Sequence, residues 1–392
     1  MKKKVIIFLN RLVIGGVAQD IVPLANYLSN DFEILILVGE KNEDEQDATE
    51  LLKEYPGLKV IEIPDLKRSF NIINDIRSYN QVKKIILSFR PHIMHTHGTK
   101  PGIIGRVAAK KNLVPVILHT YHGHVFHSYF NPVITAFIIK VDRWLAGFTT
   151  RIIAISQSQK DELVNTYRIC KEEQIVMIPL GVEAQKFEHL EEKRKAFRKE
   201  YFLHDDEFAI GIIGRIVPIK NHHFFVDAVK DLLEENSSVR IFIVGDGFSR
   251  EELELYLDDL MISHTFFPRN AIISPVTFTS WQTDIQKVIA GLDIIALTSL
   301  NEGTPLSLME AQAAGKPVIS TRAGGVAEIM IDQGTGYIIE QGQLDVYKKK
   351  LKLLVDNDII RQKMGSNGEK FIQYKFSKQQ QVETHRQLYS SL

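Results

Sequence analysis

The sequence predicts an α/β protein of two domains, each built on a parallel β-sheet with helices on both faces. Its 392 residues exceed what one hydrophobic core of ordinary size accommodates. Short apolar runs, typical of buried strands, alternate with longer stretches whose apolar residues recur at helical spacing. This alternation indicates βαβ units, and it starts again after a charged stretch near the middle of the chain.

The apolar runs fall into two series of predicted strands. Those of the first half are Val5–Leu9, Glu33–Val38, His92–His95, Val116–Thr120 and Ile152–Ser156. Those of the second half are Phe208–Gly214, Val239–Val244, Ile272–Phe278, Asp293–Leu297 and Pro317–Ser320. Amphipathic stretches between them predict the helices Val17–Ser29, His222–Leu233, Ser249–Leu260, Asp284–Ala290 and Leu306–Ala314.

The charged stretch Glu188–Glu200 predicts a linker and the first helix of the second domain. We therefore expect an N-terminal domain over residues 1–185 and a C-terminal domain over residues 186–375. The tail, residues 376–392, predicts a polar, glutamine-rich helix. This helix either crosses back to the N-terminal domain or is a frayed chain end.

Composition excludes several classes of protein. The 48 basic and 48 acidic side chains balance, which argues against a nucleic-acid binder held by phosphate contacts. Cys170 is the only cysteine, so a disulfide within the chain and a thiolate zinc site are excluded, and a cytoplasmic location fits. The longest apolar stretch, Pro132–Phe148, is interrupted by charges and is shorter than the roughly 20 residues that span a membrane, so no transmembrane helix is predicted.

The strongest functional motif is the segment Glu302–Glu310, which follows a predicted strand. In open α/β sheets, ligands bind beyond the carboxyl ends of the strands, and two such sheets facing each other form a cleft. Thr304 suits an N-cap and Pro305 suits the first helical position. The helix would then offer free N–H groups to an anion such as a diphosphate, and the two glutamates would accept hydrogen bonds from hydroxyls. The alternative is an ordinary cap followed by a surface glutamate.

A second motif, Gly214–Asn221, stands at the end of the first strand of the second domain. Gly214 permits close backbone approach to a ligand. The guanidinium of Arg215 can clamp a phosphate with two donors, and the ammonium of Lys220 adds a point charge. A departing diphosphate needs such neutralisation, although the pair could also be two exposed surface cations.

Two glycine turns follow predicted strands in the same way. Gly15 and Gly16 open the first helix and resemble a phosphate turn, without the full dinucleotide fingerprint. The turn Gly245-Asp246-Gly247 suits either the nucleotide side of a site or a simple strand connection.

Histidines cluster at the ends of two neighbouring predicted strands, in His95-Thr-His97-Gly98 and in the segment His119–His124. A neutral imidazole can donate to a sugar hydroxyl or to charge that develops at a reacting carbon. A zinc site is the rival interpretation, but no acidic residue nearby has a ligand spacing. A histidine taken singly is more often structural than functional.

The stretch Asp356-Asn-Asp358 spells the Asp-x-Asp pattern that some metal-dependent sugar transferases use. It separates two helical patterns far from the glycine turns, so we interpret it as a helix N-cap.

Residues Phe126–Phe148 combine aromatic side chains with Lys140 and Arg143. This composition suits a helix lying in a membrane interface, and the apolar spacing suits a buried core helix equally well.

Taken together, these motifs closely resemble the retaining glycosyltransferases of family 4, which have the GT-B fold of two Rossmann-like domains facing each other across a cleft. The resemblance covers nearly the whole chain, and its specific part is the Glu-x7-Glu pair together with Arg215 and Lys220. It implies that Arg215 and Lys220 hold the donor diphosphate, that Glu310 holds the ribose, and that Glu302 contacts the donor sugar. It also implies that His122 touches the donor sugar near the reacting centre, with His124 as the second candidate.

Four of these residues are thus the expected catalytic set: His122, Glu302, Arg215 and Lys220. The expected donor-binding set is Gly15, Gly16, Gly214, Gly245, Gly303, Thr304, Pro305, Leu306 and Glu310. The resemblance implies no metal and no cofactor; the co-substrate would be a nucleotide-diphosphate sugar, by family habit a uridine one. The Tyr121–Phe126 stretch resembles bacterial enzymes that build capsule, O-antigen or exopolysaccharide on a lipid carrier.

We therefore expect a metal-independent hexosyltransferase that acts on a saccharide or lipid-linked saccharide acceptor and that lies in the cytoplasm or peripherally on the inner face of the plasma membrane. Two other classes stay open. One is another enzyme on the same fold, a sugar-nucleotide epimerase or a phosphorylase. The other is a partner subunit that binds nucleotide sugars without turnover.

Overall fold

The structure is a computed structural model that describes residues 2–42, 45–67, 71–123, 132–267 and 273–392. The chain divides into two compact units. The N-terminal unit comprises Met1–Gly181 together with Lys378–Leu392, and the C-terminal unit comprises Val182–Ser377. Within the described residues, no helix combines the length and the apolar content that crossing a membrane requires.

The described part of the N-terminal unit contains a seven-stranded parallel sheet with the strand order β3-β2-β1-β4-β5-β6-β7. Its strands are β1 (Lys4–Arg11), β2 (Glu33–Gly39), β3 (Lys59–Ile63), β4 (Ile93–His97), β5 (Val116–Tyr121), β6 (Arg151–Ala154) and β7 (Ile175–Met177). Its helices before the second unit are α1 (Gly16–Leu28), α2 (Thr49–Lys53), α3 (Ile72–Phe89), α4 (Thr99–Lys111), α5 (Pro132–Ala146) and α6 (Gln157–Asp161). The central strands are buried on both faces, as parallel strands covered by helices must be.

The described part of the C-terminal unit repeats this architecture with the order β10-β11-β9-β8-β12-β13-β14. Its strands are β8 (Phe208–Ile213), β9 (Val239–Val244), β10 (His264–Phe266), β11 (Val276–Phe278), β12 (Ile294–Leu297), β13 (Val318–Thr321) and β14 (Gly336–Ile339). Its helices are α7 (Glu191–Glu200), α8 (His222–Glu235), α9 (Arg250–Asp259), α10 (Ile285–Gly291), α11 (Leu306–Ala313), α12 (Val326–Ile329), α13 (Leu344–Asp356) and α14 (Asp358–Lys375).

The last helix, α15 (Lys378–Ser391), belongs to the N-terminal unit, where it packs against α1. Its buried face is largely polar. The Lys378 ammonium donates to Asp20 Oδ1 at 2.7 Å, and the Gln381 amide donates to the same oxygen at 2.8 Å. Tyr389 is fully buried and meets Phe32 edge to face. These contacts explain how a glutamine-rich helix with few apolar residues docks firmly.

One predicted strand starts later than expected, and one predicted helix cap is confirmed. The strand predicted over Ile272–Phe278 begins only at Val276 among the described residues. Pro275 precedes it and lacks the N–H that a ladder needs, while its carbonyl accepts from Ile241 at 2.8 Å. The prediction that Asn357 and its neighbours cap a helix is confirmed, because the Asn357 side chain accepts from the Ile360 N–H at 3.0 Å and starts α14.

Candidate functional site

The topology of the C-terminal sheet brings the two strongest motifs together. Strand order reverses between β8 and β12, and the loops after these strands contain Gly214–Lys220 and Thr298–Pro305. Such a switch point is where open α/β sheets bind ligands. The loops also contact each other directly: the Leu300 N–H donates to the Ile219 carbonyl at 2.8 Å, and the Thr298 hydroxyl donates to the Lys220 carbonyl at 3.0 Å.

At this point Lys220 and Glu302 form an ion pair through Nζ and Oε1. The Ser299 hydroxyl donates to the same carboxylate oxygen at 2.6 Å. Both charged side chains are largely buried, with 19% and 11% of their surface exposed. An ammonium has three N–H donors, so the pair leaves Lys220 with donors for a phosphate. Lys220, predicted to bind the phosphate, and Glu302, predicted to bind the sugar, therefore hold each other in place.

Arg215 differs from Lys220 in its surroundings. It follows Gly214 at the end of β8, its side chain is exposed, and it has no ion-pair partner among the residues that the structure describes. Its guanidinium is thus available to an anionic ligand at the same sheet edge, with the fork geometry that suits a phosphate.

The turn Gly245–Gly247 supports the loop that carries Arg215. A Cβ on Gly245, whose φ is +125°, would lie 2.1 Å from the Gly214 carbonyl oxygen, so only glycine fits. The Ile216 N–H donates to the Asp246 carbonyl at 2.9 Å, and Asp246 Oδ1 accepts from Arg250 at 3.0 Å. These contacts hold the loop that carries Arg215 in place from behind.

The start of α11 differs from the prediction by one residue. The sequence predicts Thr304 as the N-cap and Pro305 as the first helical residue; in the structure Pro305 is the N-cap, with ψ of 105°, and the helix begins at Leu306. The extended ψ of Pro305 moves the first turn one residue on. No side chain caps α11, so the backbone donors of its first turn are open to a ligand.

Thr304 and Glu310 lie at the two ends of this segment. The Thr304 hydroxyl is buried and has no hydrogen-bond partner among the described residues. A buried polar group without a partner in the folded chain needs an explanation, and a ligand bound at the helix start would supply the missing partner. Glu310 is half-buried on α11, and Gly303 is half-buried beside Glu302.

A glycine pair outside the predicted site residues presses against this loop. Gly324 has φ of +49°, and a Cβ there would lie 1.7 Å from the carbonyl oxygen of Glu302. The Gly325 N–H donates to the Gly303 carbonyl at 2.8 Å. The signal was present, since this pair follows a strand as Gly15-Gly16 does. The Gly324 turn therefore fixes the backbone that presents Glu302.

We expect Gly324→Ala to displace this backbone. The left-handed conformation alone costs about 1–2 kcal/mol for alanine, and the forced contact with Glu302 adds about 1–3 kcal/mol. Gly342→Ala is the matched control, because Gly342 also has a positive φ, +80°, but open space around its Cβ. The midpoint of urea unfolding should fall more in Gly324→Ala than in Gly342→Ala; equal falls in the two variants would contradict the role of the contact.

In the N-terminal unit, strand order reverses between β1 and β4. Gly15, with φ of +155°, caps α1 without a side-chain hydrogen bond, and Gly16 begins the helix. Space is open beside Gly15. Gly98, with φ of +82°, follows β4, and a Cβ there would lie 2.4 Å from the amide nitrogen of Asn10. Both turns thus open at the edge of the sheet where a ligand would bind.

Three of the predicted histidines are buried and bonded inside this unit. His95 contacts the Tyr389 hydroxyl at 2.6 Å and the Thr120 hydroxyl at 2.7 Å. His119 Nδ1 lies 2.9 Å from the Thr96 hydroxyl. Burial lowers the pKa of His95, His97 and His119 well below the ordinary value, so these rings are neutral at physiological pH.

His122 is the partly exposed member of the group. Its Nε2 lies 2.9 Å from Nδ1 of His97. Burial lowers its pKa, while the charge of Asp20 acts in the opposite direction. His124 lies outside the described residues. The described residues hold no group of three or more His, Cys, Asp or Glu side chains arranged to bind a metal ion.

Each half of the chain matches a family model of known proteins. The family model "Glycosyltransferase Family 4" matches residues 14–186, and "Glycosyl transferases group 1" matches residues 193–371. The chain is 29% identical over 302 residues to the UDP-Gal:alpha-D-GlcNAc-diphosphoundecaprenol alpha-1,3-galactosyltransferase of Escherichia coli, covering 76% of this chain and 75% of the relative. It is 27% identical over 336 residues to the capsular polysaccharide biosynthesis glycosyltransferase CapM of Staphylococcus aureus, covering 84% of each.

Solved structures agree on the fold. Anabaena Alr3699/HepE in complex with UDP and glucose superposes with a TM-score of 0.80 at 19% identity, covering 99% of each chain. WaaG, a glycosyltransferase involved in lipopolysaccharide biosynthesis, gives 0.75 at 15% identity, covering 98% of this chain and 99% of its own. The predicted GT-B class, with two parallel-sheet α/β domains, is confirmed. Since the two family matches together span most of the sequence, the chain belongs to glycosyltransferase family 4.

Proposed function

We propose that this transferase moves a sugar, with retention of configuration, from a UDP-linked hexose or N-acetylhexosamine to a saccharide acceptor in the synthesis of a surface polysaccharide. The observation that carries the proposal is the Lys220–Glu302 ion pair beside exposed Arg215 at the switch point of the C-terminal sheet. The names of the relatives support the rest: one uses UDP-Gal and a diphosphoundecaprenol-linked acceptor, and another serves capsule synthesis.

The donor would bind through its diphosphate. Arg215, the remaining donors of Lys220 and the uncapped start of α11 at Gly303–Leu306 supply positive charge and N–H groups to it. Glu302 would accept hydrogen bonds from the sugar and Glu310 from the ribose. His122 would contact the donor sugar. In this proposal the protein's own cations neutralise the diphosphate, so neither a metal ion nor another cofactor takes part.

The transfer step follows from this charge arrangement. The bond from the anomeric carbon to the diphosphate oxygen breaks, and positive charge develops on the sugar while negative charge develops on the leaving diphosphate. Fixed donors aimed at the leaving group stabilise that charge. The acceptor oxygen bonds to the anomeric carbon on the same face, and its proton passes to the leaving phosphate oxygen. Configuration is retained, and no carboxylate acts as a nucleophile.

Release of free UDP tests this function. We expect UDP to be released from a UDP-sugar only at a slow hydrolytic rate, to accelerate when a lipid-linked saccharide is added, and to be insensitive to EDTA. A thermal-shift panel of nucleotide sugars would choose the donor, since a ligand that binds the native state raises the melting temperature.

The other outcomes separate the alternatives. Conversion of the donor into its epimer, without UDP release, would show an epimerase. Dependence of the acceleration on inorganic phosphate would show a phosphorylase. Binding without turnover, with any acceptor offered, would show a partner subunit.

We also propose that the N-terminal unit contacts a membrane surface on the cytoplasmic side. On α5, the side chains of Val133, Phe137 and Trp144 are 79%, 66% and 59% exposed, and Lys140 is exposed with them. Ile138 and Val141 of the same helix are half-buried, so α5 packs on the unit with one side and exposes the other. On α3, Ile72 and Ile73 are 78% and 63% exposed. Both helices pack on α4, so they cover the same face of the sheet.

Exposed apolar side chains mixed with cations are typical of surfaces that insert into an anionic lipid interface. We expect the protein to float with vesicles containing anionic phospholipid and Phe137→Asp to lower the bound fraction severalfold. Leu255→Asp, which changes a side chain 65% exposed on α9 of the other unit, is the control and should float normally. Absence of flotation in the unmodified protein would contradict this proposal without affecting the transfer reaction.

A further inference from the structure

His97 and His122 meet at the ends of two neighbouring strands. β4 ends at His97, and β5 ends directly before His122. Nδ1 of His97 lies 2.9 Å from Nε2 of His122, and the rings stack with centroids 5.1 Å apart. A hydrogen bond at this contact needs one proton on one of the two nitrogens. The ring that supplies this proton determines which nitrogen of His122 is protonated.

The environment of His97 decides which of the two rings donates at this contact. The residue is 2% exposed, and its Nε2 has no hydrogen-bond partner among the described residues. Because burial lowers its pKa well below the ordinary value, the ring is neutral and carries one N–H. A proton on Nε2 would be a buried N–H without an acceptor, and such N–H groups are rarer in folded proteins than acceptors that lack a donor. A proton on Nδ1 is satisfied by His122, so His97 is the donor.

His122 therefore accepts at Nε2, and its own proton is on Nδ1 when the ring is neutral. We propose that His97 is a positioning residue, which orients His122 and holds it as the tautomer that offers an Nδ1–H donor to the ligand. The inference rests on the proposed function, in which His122 contacts the donor sugar. A donor fixed in this way needs no reorganisation when charge develops on the sugar or the leaving group.

The neighbouring His95 has a different role. Its two ring nitrogens are occupied by the Tyr389 and Thr120 hydroxyls, and it makes no hydrogen bond to His122. The Tyr389–His95 bond thus lies in the same buried cluster but outside the contact that sets the tautomer. It provides a matched control for loss of a buried hydrogen bond.

Two variants at His97 separate the donor from the ring. His97→Phe keeps an aromatic ring and lacks the N–H, whereas His97→Asn offers an amide N–H near the place of Nδ1. In protein with 15N-labelled histidine, long-range 1H–15N correlation reports which nitrogen of His122 is protonated, and His122→Asn assigns the signal. We expect a protonated Nδ1 in the unmodified protein, a shift toward protonated Nε2 in His97→Phe, and recovery in His97→Asn.

In kinetics, we expect His97→Phe to lower kcat about 10- to 100-fold. Removing the residue that orients a metal-binding histidine has an effect of this size in metalloenzymes. KM for the donor should change less, and His97→Asn should recover most of the rate. Tyr389→Phe should reduce stability while leaving the His122 tautomer and kcat nearly unchanged. An unaltered tautomer in His97→Phe, or an equal change in Tyr389→Phe, would overturn the proposal.

This result is distinguishable from failure of the proposed function. Full transfer activity in His122→Ala would show that His122 takes no part in the reaction. The tautomer of His122, measured without substrate, could still depend on His97. Conversely, an inactive His122→Ala with a fully active His97→Phe would keep the role of His122 and overturn that of His97.

Discussion

Replacing Arg215 and Lys220 together with alanine is expected to lower the rate of sugar transfer roughly 10³-fold or more, because single donors at developing negative charge already contribute about 10²- to 10³-fold. Arg215 is exposed and has no ion-pair partner in the described chain, so its loss costs the fold little. Loss of Lys220 leaves the Glu302 carboxylate with the Ser299 hydroxyl as its described donor, so we expect a modest fall in melting temperature.

Single variants sharpen this prediction. Arg215→Ala should reduce affinity for UDP and leave the unfolding curve unchanged, whereas Lys220→Ala should affect both. Lys349→Ala, which removes an exposed cation from α13, is the control and should change neither. Calorimetric titration with UDP, steady-state kinetics and thermal unfolding give the three readouts. Near-normal turnover in the double variant would remove these cations from the donor site.

The central strands of both sheets follow from the sequence, but the edge strands do not. Apolar patterning does not reveal β3, β7, β10 and β14, and these are the outermost strands of the two sheets. Edge strands pair on one side only and need no long apolar run. β3 contains Lys59 and Glu62, and β7 and β10 have three residues each. β14 is the exception among them, because its four residues are largely buried.

The site was predictable to the level of its loops. Phosphate-binding residue types directly after a predicted strand, and a helix start after another, are local signals that place Arg215, Lys220 and Glu302 at one sheet edge. The pairing of Lys220 with Glu302 was not predictable, because 82 residues separate them and the distance depends on how two loops meet. The same holds for Lys378 and Asp20, which are 358 residues apart.

Glu302→Gln is expected to distinguish the role of Glu302 from that of Lys220 by its effect on the affinity for UDP. The amide keeps the shape and can still accept from Ser299, while the negative charge that holds Lys220 is lost. The released ammonium should then bind a diphosphate without competition, so we expect affinity for UDP to stay equal or to rise by up to about tenfold, roughly 1.4 kcal/mol. Lys220→Ala should change the same affinity in the opposite direction.

Turnover of the UDP-sugar should nevertheless fall about 10²-fold in Glu302→Gln, because a carboxylate accepts stronger hydrogen bonds from sugar hydroxyls than an amide does. Glu340→Gln is the matched control, since it breaks an exposed ion pair with Arg322 and should leave both UDP affinity and turnover unchanged. If Glu302→Gln instead weakened UDP binding as much as Lys220→Ala does, the ion pair would serve to hold the loop as one unit. A double-mutant cycle of these two variants would then show a coupling energy equal to the whole loss of UDP affinity. If Lys220 binds the phosphate and Glu302 separately accepts hydrogen bonds from the sugar, the two variants should change UDP affinity in opposite directions. Both variants should lose turnover.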